Sequence, residues 1–347
     1  MSRRVLRRAG RWTRFPGHTP AGEPASGSGR RWPGRIAAAL LVAPTAACAA
    51  RLLDADAVTP VPQLLSLLPW LAAPAFAALL LAPAARGRAR PVLVAWAVAA
   101  VAASVWSALP YGPAATGARG PAAAVVRVLT ANVEYGGAVP ALVDAARRER
   151  PDLLFVQECD PACADALAAA LGGRLPHRAG AAREDAAGSV VLSAFPLAAP
   201  VALPGTALEM PGATARIGGT AVRLRLAHPL PPVPGLVGRW RRELGLLRDD
   251  AAARRGAPAV VAGDFNAAQD HAAFRAVLRA GGLHDAARLA GRARTPSWPA
   301  DLPVPAWTQI DHVLVSGDFS VRDARFLDLP GSDHRALVVD AVLHRGG

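Results

Sequence analysis

The chain has 347 residues and a formal net charge of +13, and every basic residue in it is arginine. This length accommodates a membrane anchor and one good-sized domain. A charge of this size would ordinarily indicate a nucleic-acid-binding protein, but residues 1–35 alone carry +8 and only about +3 remains after residue 90. The charge therefore does not favour that interpretation for the C-terminal part of the chain.

Three apolar stretches follow the arginine-rich leader, and they predict membrane-spanning helices over residues 36–53, 61–85 and 91–111. The last two contain no charged residue and can cross a hydrocarbon core about 30 Å thick. The first stretch is shorter and contains a proline. Buried core helices of a soluble protein are the alternative, although such helices normally show a polar face. A cleaved signal peptide around "TAACAA" is a further alternative for the first stretch.

The distribution of arginine predicts the orientation of these helices. Residues 1–35, predicted to be a disordered leader that contacts anionic lipid, and the "RGRAR" loop should both lie in the cytoplasm. The loop with Asp54 and Asp56 should then lie outside. Three spans would place everything after Tyr111 on the far side of the membrane, so we expect a multi-pass protein of the cell membrane with an extracytoplasmic domain.

Residues 112–123 consist mainly of Gly, Ala and Pro, which predicts a linker. Residues 124–347 then alternate β-type runs with helical patterns, which predicts one layered α/β domain. Strands are predicted at 125–131, 153–157, 190–193, 221–227, 259–262, 312–315 and 336–342, and helices at 139–150 and around Trp240.

Polar residues stand at the ends of these predicted strands: Asn132, Glu158, His228, Asp264, Asn266, Asp311, Asp333 and His334. Any one of them alone is more typical of a turn former, a helix cap or a satisfied core residue. Together they line one rim of the predicted sheet core, because each adjoins an apolar run. The question is then whether "GDFN" at 263–266 is a turn or part of a reactive site.

The segments "GDFN", "IDHVLVS" and "SDHRAL" resemble motifs of the endonuclease/exonuclease/phosphatase superfamily, which includes DNase I-like nucleases. The resemblance covers about residues 125–343 and implies a four-layer α/β sandwich, with two mixed β-sheets face to face and helices outside. An anchor followed by such a domain also resembles an actinobacterial group that includes VanJ-type teicoplanin-resistance proteins.

The resemblance implies a metal site and a set of reactive groups. Asn132, Glu158 and Asp333 would hold Mg²⁺, with Mn²⁺ as the alternative, since oxygen ligands and few carboxylates suit Mg²⁺. Asp264 would orient or deprotonate the attacking water, and Asn266 would hold that water or a phosphoryl oxygen.

Three further residues would act on the phosphate side. His334 would donate to a phosphoryl oxygen, with Asp311 positioning its imidazole and keeping it charged, and His228 would contact the phosphate. Such groups would neutralise charge in phosphate-ester cleavage.

The chain departs from the family pattern at two positions where arginine is frequent. Ala194 stands in "LSAFPL", and Gln309 precedes "IDHV". These departures concern substrate contacts and leave the metal and water groups in place.

Two segments near the predicted site allow two interpretations each. Cys159 and Cys163 directly follow Glu158, and they form either a disulfide or two free thiols. The helix with Arg239, Arg241 and Arg242 presents either a solvated face or a contact for an anionic head group.

The sequence thus predicts a membrane-tethered, extracytoplasmic, Mg²⁺-dependent phosphatase or phosphodiesterase. Tethering favours a lipid-linked substrate, such as a polyprenyl phosphate or pyrophosphate. An extracytoplasmic nuclease is the alternative, which the small charge of the domain disfavours because duplex binding depends on many arginine–phosphate contacts. A non-catalytic sensor is a third alternative, which the complete set of Glu158, Asp264 and His334 argues against.

Overall fold

The computed structural model describes residues 32–118, 120–302 and 308–345. The predicted leader over residues 1–35 therefore lies outside the described residues, except for its last four, which belong to the first helix.

The N-terminal segment forms a bundle of helices. Its helices are α1 (Trp32–Leu52), α2 (Val61–Ser66), α3 (Ala72–Leu81) and α4 (Ala89–Ala108). Small side chains let α1, α3 and α4 approach closely, and the bundle core consists of Ala37, Leu41, Ala75, Ala78, Ala97 and Ala100.

Within the described residues, two helices are long and apolar enough to span a membrane, namely α1 and α4. The prediction of one continuous span over residues 61–85 is wrong. That stretch is divided into α2, a 3₁₀ turn at Leu68–Leu71, α3 and a second 3₁₀ turn at Ala82–Ala84. Prolines explain the division: Pro69 and Pro83 lie in the two 3₁₀ turns, and proline supplies no N–H for a helical hydrogen bond.

The rest of the chain forms an α/β domain with twelve strands in the described residues. They are β1 (Ala122–Asn132), β2 (Leu153–Gln157), β3 (His177–Ala181), β4 (Ser189–Ser193), β5 (Leu197–Ala202), β6 (Pro211–Ile217), β7 (Thr220–Ala227), β8 (Ala259–Asp264), β9 (Leu283–Asp285), β10 (Asp311–Ser316), β11 (Phe319–Leu327) and β12 (Ala336–His344). Its helices are α5 (Val139–Glu149), α6 (Pro161–Leu171), α7 (Val237–Ala253), α8 (Ala272–Gly281) and α9 (Ala286–Leu289).

The strands form two six-stranded mixed sheets, in the orders β11-β12-β1-β2-β4-β3 and β5-β6-β7-β8-β10-β9. Each sheet has a central parallel pair, β1 with β2 and β7 with β8, and antiparallel neighbours. One apolar core fills the space between the sheets and includes Val128, Phe155, Leu224 and Val313. Helices α5 and α6 cover the outer face of the first sheet, and α7 and α8 cover that of the second. The predicted arrangement of two mixed sheets flanked by helices is confirmed.

The bundle packs directly against the domain through the C-terminal ends of α1 and α4. In the loop after α1, Asp54 pairs with Arg275 of α8, and Asp56 lies 2.9 Å from Arg241 of α7. Arg241 therefore makes an intramolecular ion pair with the acidic loop. In the segment predicted as a linker, Thr116 donates to the main-chain oxygen of Phe319, and Ala122 and Ala123 already belong to β1.

Candidate active site

The predicted site residues converge because of strand register. In the first sheet, Asn132 pairs with Gln157, so the following Glu158 lies beside Asn132. In the second sheet, Ala227 pairs with Gly263, which brings His228 beside Asp264. Asp311, the first residue of β10, lies directly opposite Asp264. The carboxyl ends of parallel strands share one edge of a sheet, so these side chains meet at one rim.

Gly263 allows the two strands β7 and β8 to approach closely at this rim. Its φ is +150°, and a Cβ at this position would lie 2.0 Å from the main-chain oxygen of Ala227. A larger residue would force the strands apart. The glycine of "GDFN" is therefore required by close backbone packing beside the reactive groups.

Asp264, Asp311 and His334 form the buried centre of the site. The Nδ1 atom of His334 lies 2.9 Å from Oδ2 of Asp311, and its Nε2 atom lies 3.7 Å from Oδ2 of Asp264. Each of the three residues offers one ligand-type atom, and these atoms lie within 4.8 Å of one another. The imidazole thus lies between two carboxylates, as predicted for the pair of His334 and Asp311.

The electrostatics of this cluster favour a charged imidazole. Burial opposes the charge on His334, but Asp311 and Asp264 outweigh it and raise its pKa to about 10. Burial also raises the pKa of Asp264 above the ordinary carboxylate range, while the charge on His334 lowers it. A carboxylate with a raised pKa is a stronger base for a proton of water.

Glu158 and Asn132 form the second part of the site. Asn132 donates from Nδ2 to Oε1 of Glu158 over 3.0 Å and also lies 3.4 Å from Oδ2 of Asp264. This side chain therefore joins the two sheets at the rim. Glu158 has a φ of +58° and accepts a hydrogen bond from the main-chain N–H of Tyr135.

The surroundings of Glu158 suit a divalent cation. Burial raises the pKa of Glu158, and Asp333 raises it further. The pKa of Tyr135 is also raised, first by the charge on Glu158 and then by burial and by the charges on Asp333 and Glu134. These three carboxylates therefore act on one region of the rim. A cation would relieve this repulsion, and carboxylate oxygens are ligands that suit it. Among the described residues, however, the group whose ligand atoms lie within 4.8 Å of one another is Asp264, Asp311 and His334. Asn132 presents Nδ2 to Glu158, while its oxygen accepts from the N–H of Glu134, so its amide would have to rotate to turn an oxygen toward Glu158.

Asp333 is oriented by a contact that the sequence analysis missed. Trp298 donates from its indole N–H to Oδ2 of Asp333 over 2.8 Å, and the main-chain N–H of Asp333 donates to Glu134. The other oxygen of Asp333 lies 3.8 Å from Nε2 of His334. Trp298 is distant in sequence and follows no recognisable motif, so no local signal identified it.

His228 is a neutral group at the same rim. It is 2 % exposed, its Nε2 atom lies 3.8 Å from Glu158, and its Nδ1 atom has no hydrogen-bond partner among the described residues. Burial, assisted by the charge on His334, lowers the pKa of His228 to about 3. His228 can therefore offer a hydrogen bond to a phosphate, but not a positive charge.

Asn266 has a strained backbone conformation with a φ of +48°. Its N–H donates to Oδ1 of Asp264 over 2.8 Å, and its side-chain amide donates to the main-chain oxygen of Pro229 over 3.0 Å. Its main-chain oxygen accepts from the indole of Trp240 over 3.1 Å. "GDFN" is thus a turn whose contacts fix the orientation of Asp264.

The structure answers two further questions from the sequence. Cys159 and Cys163 form a disulfide, directly after Glu158. Gln309 is buried and lies 3.3 Å from His312, and Ala194 packs against the apolar layer beneath α5 and α6. Both departures from the family pattern therefore occupy structural positions.

These features define a phosphate-ester hydrolase site. A buried cluster of Asp264, Asp311 and His334 lies at this rim, and residues 129–334 match the model of the Endonuclease/Exonuclease/phosphatase family. The chain belongs to this family, whose members hydrolyse phosphate esters.

Solved structures of low sequence identity share the fold. A truncated Caenorhabditis elegans TDP2 is 18 % identical with a TM-score of 0.53, over 63 % of this chain and 98 % of that one. D. rerio TDP2 complexed with single strand DNA product is 16 % identical with a TM-score of 0.52, over 63 % and 99 %. An endonuclease/exonuclease/phosphatase from Beutenbergia cavernae is 22 % identical with a TM-score of 0.50, over 63 % and 72 %. No curated protein matches the chain.

Proposed function

We propose that this chain is a membrane-tethered, extracytoplasmic, Mg²⁺-dependent phosphatase or phosphodiesterase that acts on a lipid-linked phosphate or pyrophosphate. The observation that carries the proposal is the contact between the reactive loop and the helix bundle. Gln269 lies three residues after Asn266 and contacts the main chain of Leu109 and Tyr111 beyond α4. Three residues span at most about 11 Å, so the site would lie within reach of a lipid head group at the membrane surface.

The proposed mechanism assigns each step to residues of the rim. Asp264 accepts a proton from the attacking water, and Asn266 maintains the orientation of Asp264 and of that water. Charged His334, held by Asp311, donates to a phosphoryl oxygen, and neutral His228 offers a second hydrogen bond. Glu158, Asp333 and Asn132 would hold Mg²⁺, which supplies charge neutralisation on the phosphoryl group.

The location outside the cytoplasm has two supports. The disulfide between Cys159 and Cys163 is typical of oxidising compartments. Arg86 and Arg88 in the loop before α4, and Arg90 in its first turn, lie at the opposite end of α4 from the domain, in agreement with the positive-inside rule. The resemblance to VanJ-type proteins remains part of this proposal.

A nuclease facing the outside is the second candidate. One structure of similar fold, that of D. rerio TDP2, holds a single-strand DNA product. Against this candidate stands the small charge of about +3 after residue 90, because duplex binding depends on many contacts to phosphates.

The test uses the full chain in detergent, with Mg²⁺ or with EDTA. A polyprenyl pyrophosphate and a duplex DNA are offered in parallel, and His334→Ala serves as the inactive control. We expect phosphate release from the lipid, lost in the variant and in EDTA. Cleavage of DNA with the lipid intact would establish the nuclease, and metal-independent turnover would contradict the proposed mechanism.

A further inference from the structure

The loop that carries Asp264 and Asn266 continues directly into the main contact with the bundle. Gln269, Asp270 and His271 are consecutive and buried, and each contacts a different part of the N-terminal segment. These residues belong to no family motif quoted above. They connect the reactive rim with the helices that precede the domain.

The three contacts are specific. Gln269 accepts from the N–H of Tyr111 over 3.0 Å, and Asp270 lies 3.1 Å from the guanidinium of Arg51 in the last turn of α1. His271 contacts the main-chain oxygen of Pro62 in α2 through Nε2 over 2.9 Å. Two helices of the bundle and the segment after α4 thus meet three successive residues of one loop.

The polar groups of this contact are buried, and each of them has a partner across or beside the contact. Asp270 and His271 are fully buried, and burial lowers the pKa of His271. A neutral imidazole with Nε2–H donates to Pro62, while Nδ1 accepts from the N–H of Ala268 over 2.9 Å. Asp270 also pairs with Arg294 over 2.8 Å, so it lies between one arginine from each part of the chain.

Packed side chains connect the 269–271 residues with the residues of the reactive rim. The indole of Trp240 lies edge-on against His271, with ring centroids 5.1 Å apart, and it donates to the main-chain oxygen of Asn266. On the other side, His312 contacts the main-chain oxygen of Ala267 over 3.0 Å. The strained conformation of Asn266 persists only if such contacts hold it. The bundle acts on them indirectly, because His271, which packs against Trp240, is itself held by Pro62 of α2.

We propose that the N-terminal helices act as a positioning element of the active site: through Arg51 and Pro62 they hold the 269–271 loop, and thereby Asp264 and Asn266, in the reactive arrangement. The domain is then not a hydrolase on a flexible tether. This inference rests on the proposed hydrolysis but not on the identity of the substrate. Arg51, Asp270 and His271 are positioning residues, since none of them touches the reacting atoms.

The experiment compares three variants of the full chain in detergent with Mg²⁺. Arg51→Gln removes the ion pair between the bundle and Asp270, while Arg294 of the domain still pairs with Asp270. Arg51→Lys retains the charge, and Arg90→Gln makes the same change at an exposed site at the opposite end of α4. Small soluble nitrophenyl phosphate esters serve as substrates, so that access from a membrane does not affect the rate.

We expect Arg51→Gln to lower kcat by about 10- to 100-fold with little change in KM, because displacement of reactive groups acts on the chemical step. Arg51→Lys should recover much of the rate, and Arg90→Gln should match the unmodified chain. Hydrogen exchange should become faster over residues 264–271 in Arg51→Gln alone.

The outcomes separate this inference from the proposed function. If Arg51→Gln lowers the melting temperature but leaves kcat and the exchange over residues 264–271 unchanged, the inference is contradicted. The bundle would then serve only as a membrane anchor and would not position the active site. Absence of any Mg²⁺-dependent hydrolysis in the unmodified chain would contradict the proposed function, while the exchange measurement would still report whether the bundle holds the loop.

Discussion

His334 is the residue on which the proposed chemistry depends most. Its imidazole lies 2.9 Å from Asp311 and 3.7 Å from Asp264. The two carboxylates keep it protonated despite burial, since they raise its pKa to about 10. His228, at the same rim, lies 3.8 Å from Glu158, but burial and the charge on His334 lower its pKa to about 3. Two histidines of one site therefore carry different charges because of their neighbours.

Asp264→Asn tests the proposed base. The amide keeps the shape and can still accept from the N–H of Asn266, but it cannot take a proton from water. We expect kcat to fall by about 10²- to 10⁴-fold. In the unmodified chain the rate should fall as pH falls through the pKa of Asp264, which burial raises; the variant should lose this dependence. Exposed Asp165→Asn is the matched control, and an unchanged pH–rate profile in Asp264→Asn would contradict the assignment.

Asp311→Asn tests the charge on His334 through stability. The pKa of His334 is raised from 6.5 to about 10, so between these values the folded chain holds a proton that the unfolded chain releases. This contribution is complete below pH 6.5 and is lost as pH rises through about 10. Thermal unfolding in detergent should therefore show the largest difference between Asp311→Asn and the unmodified chain at pH 6, and a smaller one at pH 10. The exposed Asp249→Asn variant should show no such trend, and a pH-independent difference for Asp311→Asn would refute the charged pair.

At the scale of single residues, the sequence indicated which polar residues lie close together, because they stand at strand ends and within recognisable motifs. It could not predict the neighbours that lack such marks. Trp298 orients Asp333, and Gln269, Asp270 and His271 contact the bundle. Their partners lie far away in sequence, so only the tertiary fold brings them together.

At the scale of elements, hydrophobic pattern identified the strands that are buried on both faces. β2 was predicted with its observed bounds, and β8 and β10 were found within two residues of theirs. β5 was missed because it is an edge strand with mostly exposed residues and an internal proline. The helix α6 was missed because its alanine-rich sequence has little contrast between its faces. The strands β3, β6, β9 and β11 and the helices α8 and α9 were not predicted either. In α8 the apolar pattern was present, since Phe274, Val277 and Leu278 form one buried face, so that helix was recognisable from the sequence.

The disulfide at the start of α6 belongs to the same scale. It closes the turn directly after Glu158, whose positive φ must be held by its surroundings. We expect the double variant Cys159→Ser/Cys163→Ser to weaken the apparent Mg²⁺ affinity by about tenfold, with kcat restored at saturating Mg²⁺. A reductant should reproduce this effect in the unmodified chain and have none on the variant. An unchanged Mg²⁺ dependence would show that the turn holds Glu158 without the disulfide.

At the scale of the whole molecule, the bundle and the domain form one packed unit. The contacts lie at the Leu52 end of α1 and the Ala108 end of α4, where Arg294 also donates to the main-chain oxygen of Ala108 over 2.9 Å. The sequence predicted three apolar spans and their direction, but the middle stretch is divided into α2, α3 and two 3₁₀ turns that contain prolines. It gave no indication of the docking, since Asp54 and Asp56 indicated only an acidic loop.

This arrangement makes the proposed orientation testable. The domain contacts one end of the two long helices, and the loop with Arg88 lies at the other end, so a membrane crossed by α1 and α4 would separate them. We expect the Asp249→Cys variant to react with a membrane-impermeant maleimide on intact cells, because this position is exposed on α7. The Arg88→Cys variant should react only after permeabilisation, which serves as the control that both thiols are reactive. The natural cysteines should contribute little background, since Cys48 is buried and the other two form the disulfide. Labelling of the Arg88→Cys variant on intact cells would reverse the orientation and remove the argument for an envelope substrate, because the active site would then face the cytoplasm.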